Sequence, residues 1–408
     1  MIDSTAGQNT YRNLGINLTL AAIVSVLTLV VLDVLLATVF PQKLPDRSEH
    51  YSADPYLGWT YAKGKRIRSE NVFGDQVDLE FTKEGFRDWQ GDVPLDSEVG
   101  ILYVGDSVTG AIQVNRKEHF IQLIDDELQR KGLKSRGYNY GVNGYSTDQV
   151  LMALAQFIQR LRPRVVVYVF VSNDLSTINA DRFQIGEIFY GKPLIRFASE
   201  GSWNAVPPPF AKLEHSTMQS KVRSMIDRSF ILSRMLSLWR IIRLSIVPND
   251  GTDFMLANPK VDWTQMILER KQDGYSRDTW QRFEAMLVAM DRICRERGIQ
   301  FLVFPFFDPW VTLANARQVI SDGGGDPEAL HRRVLNIAEK NGIQVTSDVL
   351  TFVRDLKSLS IAPDSLYFMR NDVVFDGHLS PYGHQVTAQY LGRWIERLVT
   401  KDHDKRIQ

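Results

Sequence analysis

Residues 101–110 of this 408-residue chain read ILYVGDSVTG: an apolar run, a Gly-Asp-Ser turn and the start of a helical pattern. Outward from this point, Val99–Gly105 is predicted as a strand and residues 120 to about 131 as the amphipathic helix after it. The same alternation of short apolar runs and helical patterns recurs along the chain. It predicts strands at 138–140, 164–171, 300–305 and 343–346 and helices at 147–161, 278–297 and 381–400. Short apolar strands that alternate with helices predict an α/β fold with a parallel five-stranded sheet.

Composition narrows the class of protein. The 48 basic residues balance 48 acidic ones, whereas proteins that neutralise nucleic-acid phosphate usually carry a basic excess, so we expect no nucleic-acid partner. The length predicts two or three domains, or one large domain with insertions. Cys294 is the single cysteine of the sequence, which excludes an intramolecular disulfide and a cysteine-based zinc cluster.

The N-terminal residues 16–40 read INLTLAAIVSVLTLVVLDVLLATVF, an apolar run without equal in the chain. About 20 apolar residues cross a bilayer, whereas a signal-peptide core has ~7 to 15. No convincing small-x-small cleavage site follows, so we expect an uncleaved transmembrane anchor after a short tail, residues 1–15; a buried core helix is the alternative. Asp33 would cost ~2.5 to 3.5 kcal/mol at the bilayer centre, but it lies toward the C-terminal end of the run. Positive charges on the two sides are balanced and do not set the orientation.

Two segments lie outside the α/β pattern. Residues 41–98, here called the lead-in, are punctuated by Pro and Gly, and their alternating VDLEF stretch at 77–81 predicts a short antiparallel element. Residues 177–272 form an insertion after the third strand, predicted to be helical, and insertions of this length are usually functional. Its basic amphipathic segment 221–247 fits an anionic membrane surface, a lid over a substrate crevice, or an ordinary packed helix. The catalytic domain is expected at 99–400, with a tail at 401–408.

Polar residues follow the predicted strands at the edge where an open α/β sheet forms its ligand crevice. Ser107 follows the first strand, Gly144 the second in NYGVNGYSTDQ (139–149), and Asn173 the third in VSND (171–174). Near the C-terminus, FDGHLSPYGH (375–384) carries Asp376 and His378. Serine ester chemistry needs a base, an acceptor that orients the base, and donors for an oxyanion. Each part is present on a predicted loop, although Ser107 alone would be interpreted as a helix N-cap.

These four blocks, in this order, resemble the SGNH (GDSL) hydrolase superfamily. The lead-in, with DPYLGW (54–59) and GFRD (85–88), is similar to that of membrane-anchored bacterial members. The resemblance implies a flavodoxin-like three-layer α/β sandwich. It also implies that Ser107 is the nucleophile and that His378 is the base, oriented by the carboxylate of Asp376. The backbone N–H groups of Ser107 and Gly144, with the amide of Asn173, are then implied to form an oxyanion hole.

The chain departs from the family pattern in two places. Ser172 stands where Gly usually precedes Asn-Asp, which would narrow the crevice while leaving Asn173 in place. The last block reads DxH, whereas DxxH is more common; DxH also occurs in the superfamily, including in polysaccharide O-acetyltransferase relatives. No metal-ligand spacing and no phosphate-cradling loop occur in the sequence, so we expect no cofactor and no metal. Four other polar residues are predicted to cap or pack a helix or to stabilise loops: His384, and Asp106, Asp148 and Asp174.

The sequence therefore predicts a membrane-anchored serine esterase that acts on ester-linked acyl groups through an acyl-serine intermediate. O-acetyl groups of a carbohydrate are the foremost substrate and lipid esters the other class. One alternative is an O-acyltransferase of a surface polysaccharide that uses the same site, with polysaccharide-biosynthesis proteins as partners. The second is a catalytically silent binding or assembly protein, against which the intact set of site residues argues. The resemblance implies a single-pass protein of the bacterial inner membrane with a periplasmic or extracellular catalytic domain.

Overall fold

The computed structural model describes residues 4–39, 47–71, 74–87, 99–185, 188–198, 201–214, 229, 231–232, 235, 274–358, 363–370 and 373–407. Within these ranges the helices are α1 (Ser4–Val39), α2 (Ser107–Gly110), α3 (Phe120–Arg130), α4 (Thr147–Leu161), α5 (Gly274–Arg295), α6 (Pro309–Thr312), α7 (Ala314–Asp322), α8 (Ala329–Lys340), α9 (Val349–Ser358) and α10 (Pro381–Ile407). The strands are β1 (Tyr51–Asp54), β2 (Gly58–Tyr61), β3 (Arg66–Glu70), β4 (Gln76–Glu80), β5 (Val99–Gly105), β6 (Ser135–Gly141), β7 (Val165–Phe170), β8 (Arg182–Ile185), β9 (Ile188–Gly191), β10 (Leu194–Phe197), β11 (Trp203–Val206), β12 (Lys212–Glu214), β13 (Gln300–Pro305), β14 (Gln344–Val345), β15 (Tyr367–Arg370) and β16 (Val373–Leu379).

A parallel five-stranded sheet forms the centre of the fold, in the order β6-β5-β7-β13-β14. Numbered along the chain, these strands run 2-1-3-4-5, the flavodoxin-like order, which reverses between β5 and β7. Gly105 pairs with Gly141 on one side and Val169 on the other, so these three strands end close together. The predicted α/β sandwich with five parallel strands is confirmed, and its crevice is expected beyond the ends of β5 and β7.

Both faces of the sheet are covered by helices, as parallel sheets require. On β5, Leu102 and Val104 pack with the core that includes α4, α5 and α8, whereas Ile101 and Tyr103 pack with the core that includes α3, α9 and α10. All four side chains have no exposed surface. Burying each of the three aliphatic side chains among them stabilises the fold by ~1.5 to 3 kcal/mol, which explains the near-continuous apolar strands in the sequence.

The lead-in folds as two antiparallel hairpins, β1 with β2 and β3 with β4, which confirms the antiparallel element predicted at 77–81. Its side chains belong to the core of the α/β domain: Leu57, Trp59 and Tyr61 are buried in the same cluster as β5 and α4. Arg87 is also buried and forms a bridge with Asn139 of β6. The described part of the lead-in is therefore packed into the α/β unit.

The described first part of the insertion, up to residue 214, consists of strands, so the insertion is not helical throughout; within the basic segment 221–247, Ile231, Leu232 and Met235 are helical. Strands β8, β9 and β12 form one antiparallel sheet, and β10 and β11 form a hairpin. These stretches are only three or four residues long and are separated by turns, too short for a helical periodicity to develop. Lys192, after β9, forms an ion pair with Asp148 of α4, and both side chains have no exposed surface. Most of the basic segment 221–247 lies outside the described residues.

The apolar helix α1 belongs to a separate compact unit. Its residues Ile16–Leu36 are long and apolar enough to cross a membrane, and none of this stretch is buried by protein. Asp33 accepts a hydrogen bond from the backbone N–H of Ile231, at 2.7 Å, and Leu232 N–H bonds the hydroxyl of Ser229. The acidic side chain within the apolar run is thus paired with a backbone donor of the insertion.

Candidate active site

Ser107 is the first residue of the short helix α2, directly after β5. Asp106 is the N-cap of α2, and its Oδ1 accepts a hydrogen bond from Val108 N–H at 2.9 Å. Gly105 has no room for a side chain, because a Cβ there would lie 2.2 Å from Thr109 Oγ1. The Gly-Asp-Ser sequence therefore allows the strand to turn sharply into the helix and leaves Ser107 at the carboxyl edge of the sheet.

The buried carboxylate of Asp106 connects two residues of the predicted site. Its Oδ2 accepts hydrogen bonds from Asn173 Nδ2 at 3.0 Å and from Ser107 Oγ at 3.2 Å. Burial raises the pKa of Asp106, and the bonds from Val108 and Asn173, the nearby charge of His378 and the bond from Ser107 oppose the rise. Asp106 thus contributes more than the loop stabilisation predicted for it, because Asn173 comes from a different strand end.

Asn173 follows β7 on a short 3-10 segment, Ser172–Leu175. An amide group carries two donor hydrogens, so one remains after the bond to Asp106. Ser172 is buried and donates from its hydroxyl and its backbone to Asp308, whose pKa is raised well above its ordinary value by burial. Asp174 accepts hydrogen bonds from Tyr168 Oη at 2.8 Å and Val171 N–H at 3.2 Å. The loop is therefore held by hydrogen bonds on both sides of Asn173.

Gly144 lies in the loop between β6 and α4 with φ +79°, a left-handed conformation that favours glycine. A Cβ on Gly144 would lie 2.2 Å from a ring carbon of Phe183, the aromatic residue of β8 in the insertion. Within the described part of the chain, the N–H groups of Ser107 and Gly144 donate to no protein acceptor. Two backbone donors are thus available at the ends of β5 and β6.

His378 lies near the nucleophile turn: its charge lowers the pKa of Asp106, and its strand β16 contacts α2. The sequence predicts a loop for Asp376 and His378, but both lie on β16, so that prediction is corrected. Asp376 pairs through its backbone with Phe368 of β15, at an irregularity in the register, and its side chain lies outside the described residues. Phe368 packs against Ala111 and Val114, directly after α2. The hairpin that carries the histidine is thereby packed against the end of the serine helix.

Two further histidines are buried beside α2. His119 accepts a hydrogen bond at Nδ1 from Ile121 N–H, and its Nε2 lies 3.0 Å from Thr109 O. His384 accepts a hydrogen bond at Nδ1 from Phe120 N–H at 3.3 Å, and the two imidazole centroids are 5.0 Å apart. Burial lowers the pKa of His384 to about 3 and that of His119 well below its ordinary value. Both are therefore neutral at pH 7, and His384 packs and caps as the sequence predicts.

Sequence reasoning missed three lead-in residues that contact the site loops, Trp59, Tyr61 and Arg87. Trp59 and Arg87 lie in the motifs DPYLGW and GFRD, which are visible in the sequence, but which loops the three residues contact depends on long-range packing. Among the described residues, no group of three or more His, Cys, Asp or Glu side chains could hold a metal ion.

The chain is similar to several solved structures, three of which are described here. TesA is 13% identical to this chain with a TM-score of 0.37, and the match covers 73% of this chain and 99% of the TesA chain. The acetyl xylan esterase AlAXEase is 14% identical with a TM-score of 0.38, covering 73% and 99%. A GDSL-like lipase from Bacteroides thetaiotaomicron is 10% identical with a TM-score of 0.32, covering 74% and 91%.

No protein-family model and no curated protein matches the chain.

Proposed function

We propose that this chain is a serine esterase of the SGNH type, with Ser107 as its nucleophile. The observation that carries the proposal is the shared carboxylate: Asp106 Oδ2 bonds both Ser107 Oγ and Asn173 Nδ2 at the edge where the strand order reverses. That edge is where open α/β sheets bind their ligands. His378 lies on β16, a strand that contacts α2, and this supports His378 as the base of the reaction.

In the proposed reaction, the Ser107 hydroxyl turns from Asp106 to His378, which takes its proton as Oγ attacks the ester carbonyl carbon. The oxyanion is held by the N–H groups of Ser107 and Gly144 and by the second amide hydrogen of Asn173. The protonated His378, oriented by Asp376, donates its proton to the leaving alkoxide as the ester C–O bond breaks. Water then attacks acyl-Ser107, losing its proton to His378, and releases the acid.

The proposed substrate is an ester-linked acyl group, foremost the O-acetyl group of a carbohydrate, with lipid esters as the other class. Phe183 supports a small acyl group, because its ring lies directly against Gly144 and fills space beside the proposed oxyanion hole. A sugar hydroxyl in place of water would make the same acyl-enzyme an O-acyltransferase of a surface polysaccharide. The long, exposed and apolar α1 supports a single-pass membrane anchor. The proposed location in a bacterial inner membrane, with the catalytic domain periplasmic or extracellular, rests on the resemblance of the sequence blocks.

The test is acid release from p-nitrophenyl acetate and from an acetylated xylo-oligosaccharide by the full chain in mild detergent. Ser107→Ala and His378→Ala should each lower kcat by at least about 10³-fold, as loss of a nucleophile or base does in serine hydrolases. Ser321→Ala, on an exposed residue at the end of α7, is the control and should keep wild-type turnover. Asp376→Asn tests the orienting carboxylate and should lower kcat while leaving KM nearly unchanged.

An unacetylated sugar added to the same assay separates the two fates of the acyl group. Acetyl transfer to the sugar that exceeds hydrolysis would favour the transferase. Absence of turnover on every ester by folded wild-type chain would contradict the proposed function and favour a silent scaffold.

A further inference from the structure

The lead-in contacts the loop that carries Gly144 through side chains of β2. Trp59 Nε1–H donates to the backbone carbonyl of Asn143 at 2.9 Å, and Tyr61 Oη–H donates to the Asn143 side-chain Oδ1 at 2.6 Å. Trp59 and Tyr61 have no exposed surface. The backbone oxygen and the side-chain oxygen of Asn143 therefore each accept a hydrogen bond from the lead-in.

The carbonyl of Asn143 and the N–H of Gly144 belong to one peptide unit. A peptide unit is planar, and in the trans form its C=O and N–H point in opposite directions. The bond from Trp59 holds the carbonyl toward the lead-in, so the Gly144 N–H must point away from Trp59. Rotation of this peptide by half a turn would break the Trp59 bond and reverse the N–H, and the freedom of Gly144 in the left-handed region makes such a rotation sterically accessible.

Trp59 is itself held rigidly. Its backbone carbonyl accepts a hydrogen bond from Tyr145 Oη at 2.6 Å, and Gln149 Nε2 bonds the carbonyl of Leu57 at 2.8 Å. The indole stacks on Phe183 with 5.1 Å between ring centroids and 14° between planes. Since Phe183 also contacts Gly144, the indole and the glycine are held from both the lead-in and the insertion.

Arg87 of the lead-in holds the other proposed oxyanion donor through the end of the serine helix. Its buried guanidinium donates to Gly110 O at 2.5 Å and also to Ala111 O and Val114 O. Helix C-terminal carbonyls have no partner within the helix, and a buried cation is costly unless it is well bonded. This arrangement fixes the last turn of α2, a helix of four residues whose first is Ser107.

We propose that Trp59, Tyr61 and Arg87 are positioning residues of the esterase: Trp59 and Tyr61 set the direction of the Gly144 N–H, and Arg87 sets the position of the Ser107 helix. This inference rests on the proposed function and deepens it. The lead-in is then a working part of the active site, and the reaction depends on residues that precede Ser107 by 20 positions (Arg87) to 48 positions (Trp59) in the sequence.

The experiment pairs the Tyr61 and Trp59 substitutions with chemically identical ones elsewhere in the core. Tyr61→Phe and Trp59→Phe remove the two donors to Asn143. Tyr103→Phe and Trp280→Phe are the controls, because Tyr103 and Trp280 are also buried and their Oη and Nε1 have no hydrogen-bond partner in the described part of the chain. Arg87→Lys keeps the charge and removes the planar fork. All variants are made in the full chain in detergent, beside wild type and Ser107→Ala.

We expect Trp59→Phe to lower kcat about 10- to 100-fold, somewhat less than the ~10²- to 10³-fold loss on deleting an oxyanion donor. KM and the midpoint of the pH profile should stay unchanged, because the substrate ground state and His378 are not touched. Tyr61→Phe and Arg87→Lys should lower kcat in the same way. Affinity for an alkyl boronic acid, whose adduct on Ser107 places an oxygen in the oxyanion hole, should fall in parallel. The two controls should remain within about twofold of wild type.

A kcat for Trp59→Phe and Tyr61→Phe equal to that of their controls would overturn the inference. A crystal structure of Trp59→Phe provides the readout that does not need activity: a rotated Asn143–Gly144 peptide supports the positioning role, and an unchanged peptide contradicts it. If wild type is as inactive as Ser107→Ala, the proposed function fails, and the peptide orientation still decides the structural role of Trp59.

Discussion

Three polar groups of the site meet at one buried carboxylate, that of Asp106. Val108 N–H, Asn173 Nδ2 and Ser107 Oγ all donate to it. The first bond is local and follows from the N-cap position. The other two, from Asn173 and Ser107, help to stabilise the ionised carboxylate in a place where burial raises its pKa. Its carboxylate fixes the distance between the proposed nucleophile and the proposed oxyanion amide.

Alanine substitutions at Gly144 and Gly132 separate a displacement of the loop that carries Gly144 from simple backbone strain, because both glycines have a left-handed φ. Their φ angles are +79° and +82°, but a Cβ on Gly144 meets Phe183 at 2.2 Å whereas a Cβ on Gly132 meets nothing within 4 Å. We predict that Gly132→Ala lowers the free energy of unfolding by ~1 to 2 kcal/mol and leaves kcat unchanged. Gly144→Ala should lower kcat by about tenfold or more, because the displaced loop misplaces its N–H.

Steady-state kinetics and urea unfolding of the two glycine variants provide the measurement. Equal kcat values for Gly144→Ala and Gly132→Ala would remove Gly144 from the proposed oxyanion hole.

His384 should make stability depend on pH. Its pKa is about 3 in the folded chain, because it is buried and because the charges of Arg87 and His378 lie nearby, against an ordinary value of 6.5. Below pH 6.5 the unfolded chain takes up a proton that the folded chain does not, so stability is lost as the pH falls toward 3. His384→Gln removes this effect. The free energy of unfolding of wild type minus that of His384→Gln should therefore be about 2 kcal/mol smaller at pH 5 than at pH 8.

Urea unfolding of both proteins in detergent at the two pH values measures this difference. A difference that does not change with pH would show that His384 takes up its proton in the folded chain as readily as in the unfolded chain.

Among the elements, a buried ion pair joins the strands of the insertion to α4. Lys192 Nζ bonds Asp148, which also accepts hydrogen bonds from Ser146 Oγ at 2.6 Å and Gln149 N–H at 2.9 Å. Both partners of the ion pair are fully buried, so either one alone would leave an uncompensated charge in the core. The pair therefore fixes β9 beside the helix that begins just after the Gly144 loop.

We predict that Lys192→Met lowers the free energy of unfolding by ~3 to 5 kcal/mol, because Asp148 stays buried without its cation. The double variant with Asp148→Asn should recover part of this loss, because both charges are then absent. Arg66→Met is the matched control: its pair with Glu80 lies on the surface, with 79% and 38% of the side chains exposed, and should be worth ~0 to 1 kcal/mol. A loss for Lys192→Met no larger than for Arg66→Met, measured by urea unfolding, would contradict this account.

At the scale of the whole molecule, the chain combines a compact α/β unit with an apolar helix that protein does not cover. Residues Ile16–Leu36 would expose their side chains to water unless a bilayer or another protein surrounds them. The bond from Ile231 N–H satisfies one oxygen of Asp33 within this run. This bond lowers the free-energy cost of placing Asp33 in a membrane. From the sequence alone, the position of Asp33 toward the C-terminal end of the run was the only feature that reduced this cost.

We predict that the chain recovered from bacterial membranes retains its N-terminal segment, since α1 is long enough to act as an anchor. Mass spectrometry of the protein from the membrane fraction measures its first residue. Val26→Arg combined with Val30→Arg should move the protein to the soluble fraction, at a cost of ~5 to 7 kcal/mol for two arginines in the span. A chain in the soluble fraction that begins near residue 40 would instead identify the segment as a cleaved signal.

The sequence alone was sufficient for the α/β class, the positions of the five central strands and the choice of Ser107, Gly144 and Asn173 as residues at strand ends. Apolar periodicity and turn residues are local properties, and parallel strands bring their carboxyl ends to one edge whatever the rest of the chain does. The assigned roles of these residues remain proposals, as does that of Asp376.

Only the tertiary structure revealed the strands of the insertion, the hairpin that carries His378, and the contacts of Trp59 and Arg87. Trp59 lies 84 residues from the carbonyl that it bonds, and Arg87 lies 24 residues from Ala111. A buried tryptophan or arginine obtains its partners from whichever loops pack around it. Sequence patterns can show that such a residue is unusual, but the direction of the peptide that it holds is determined only when the lead-in, the sheet and the insertion fold together.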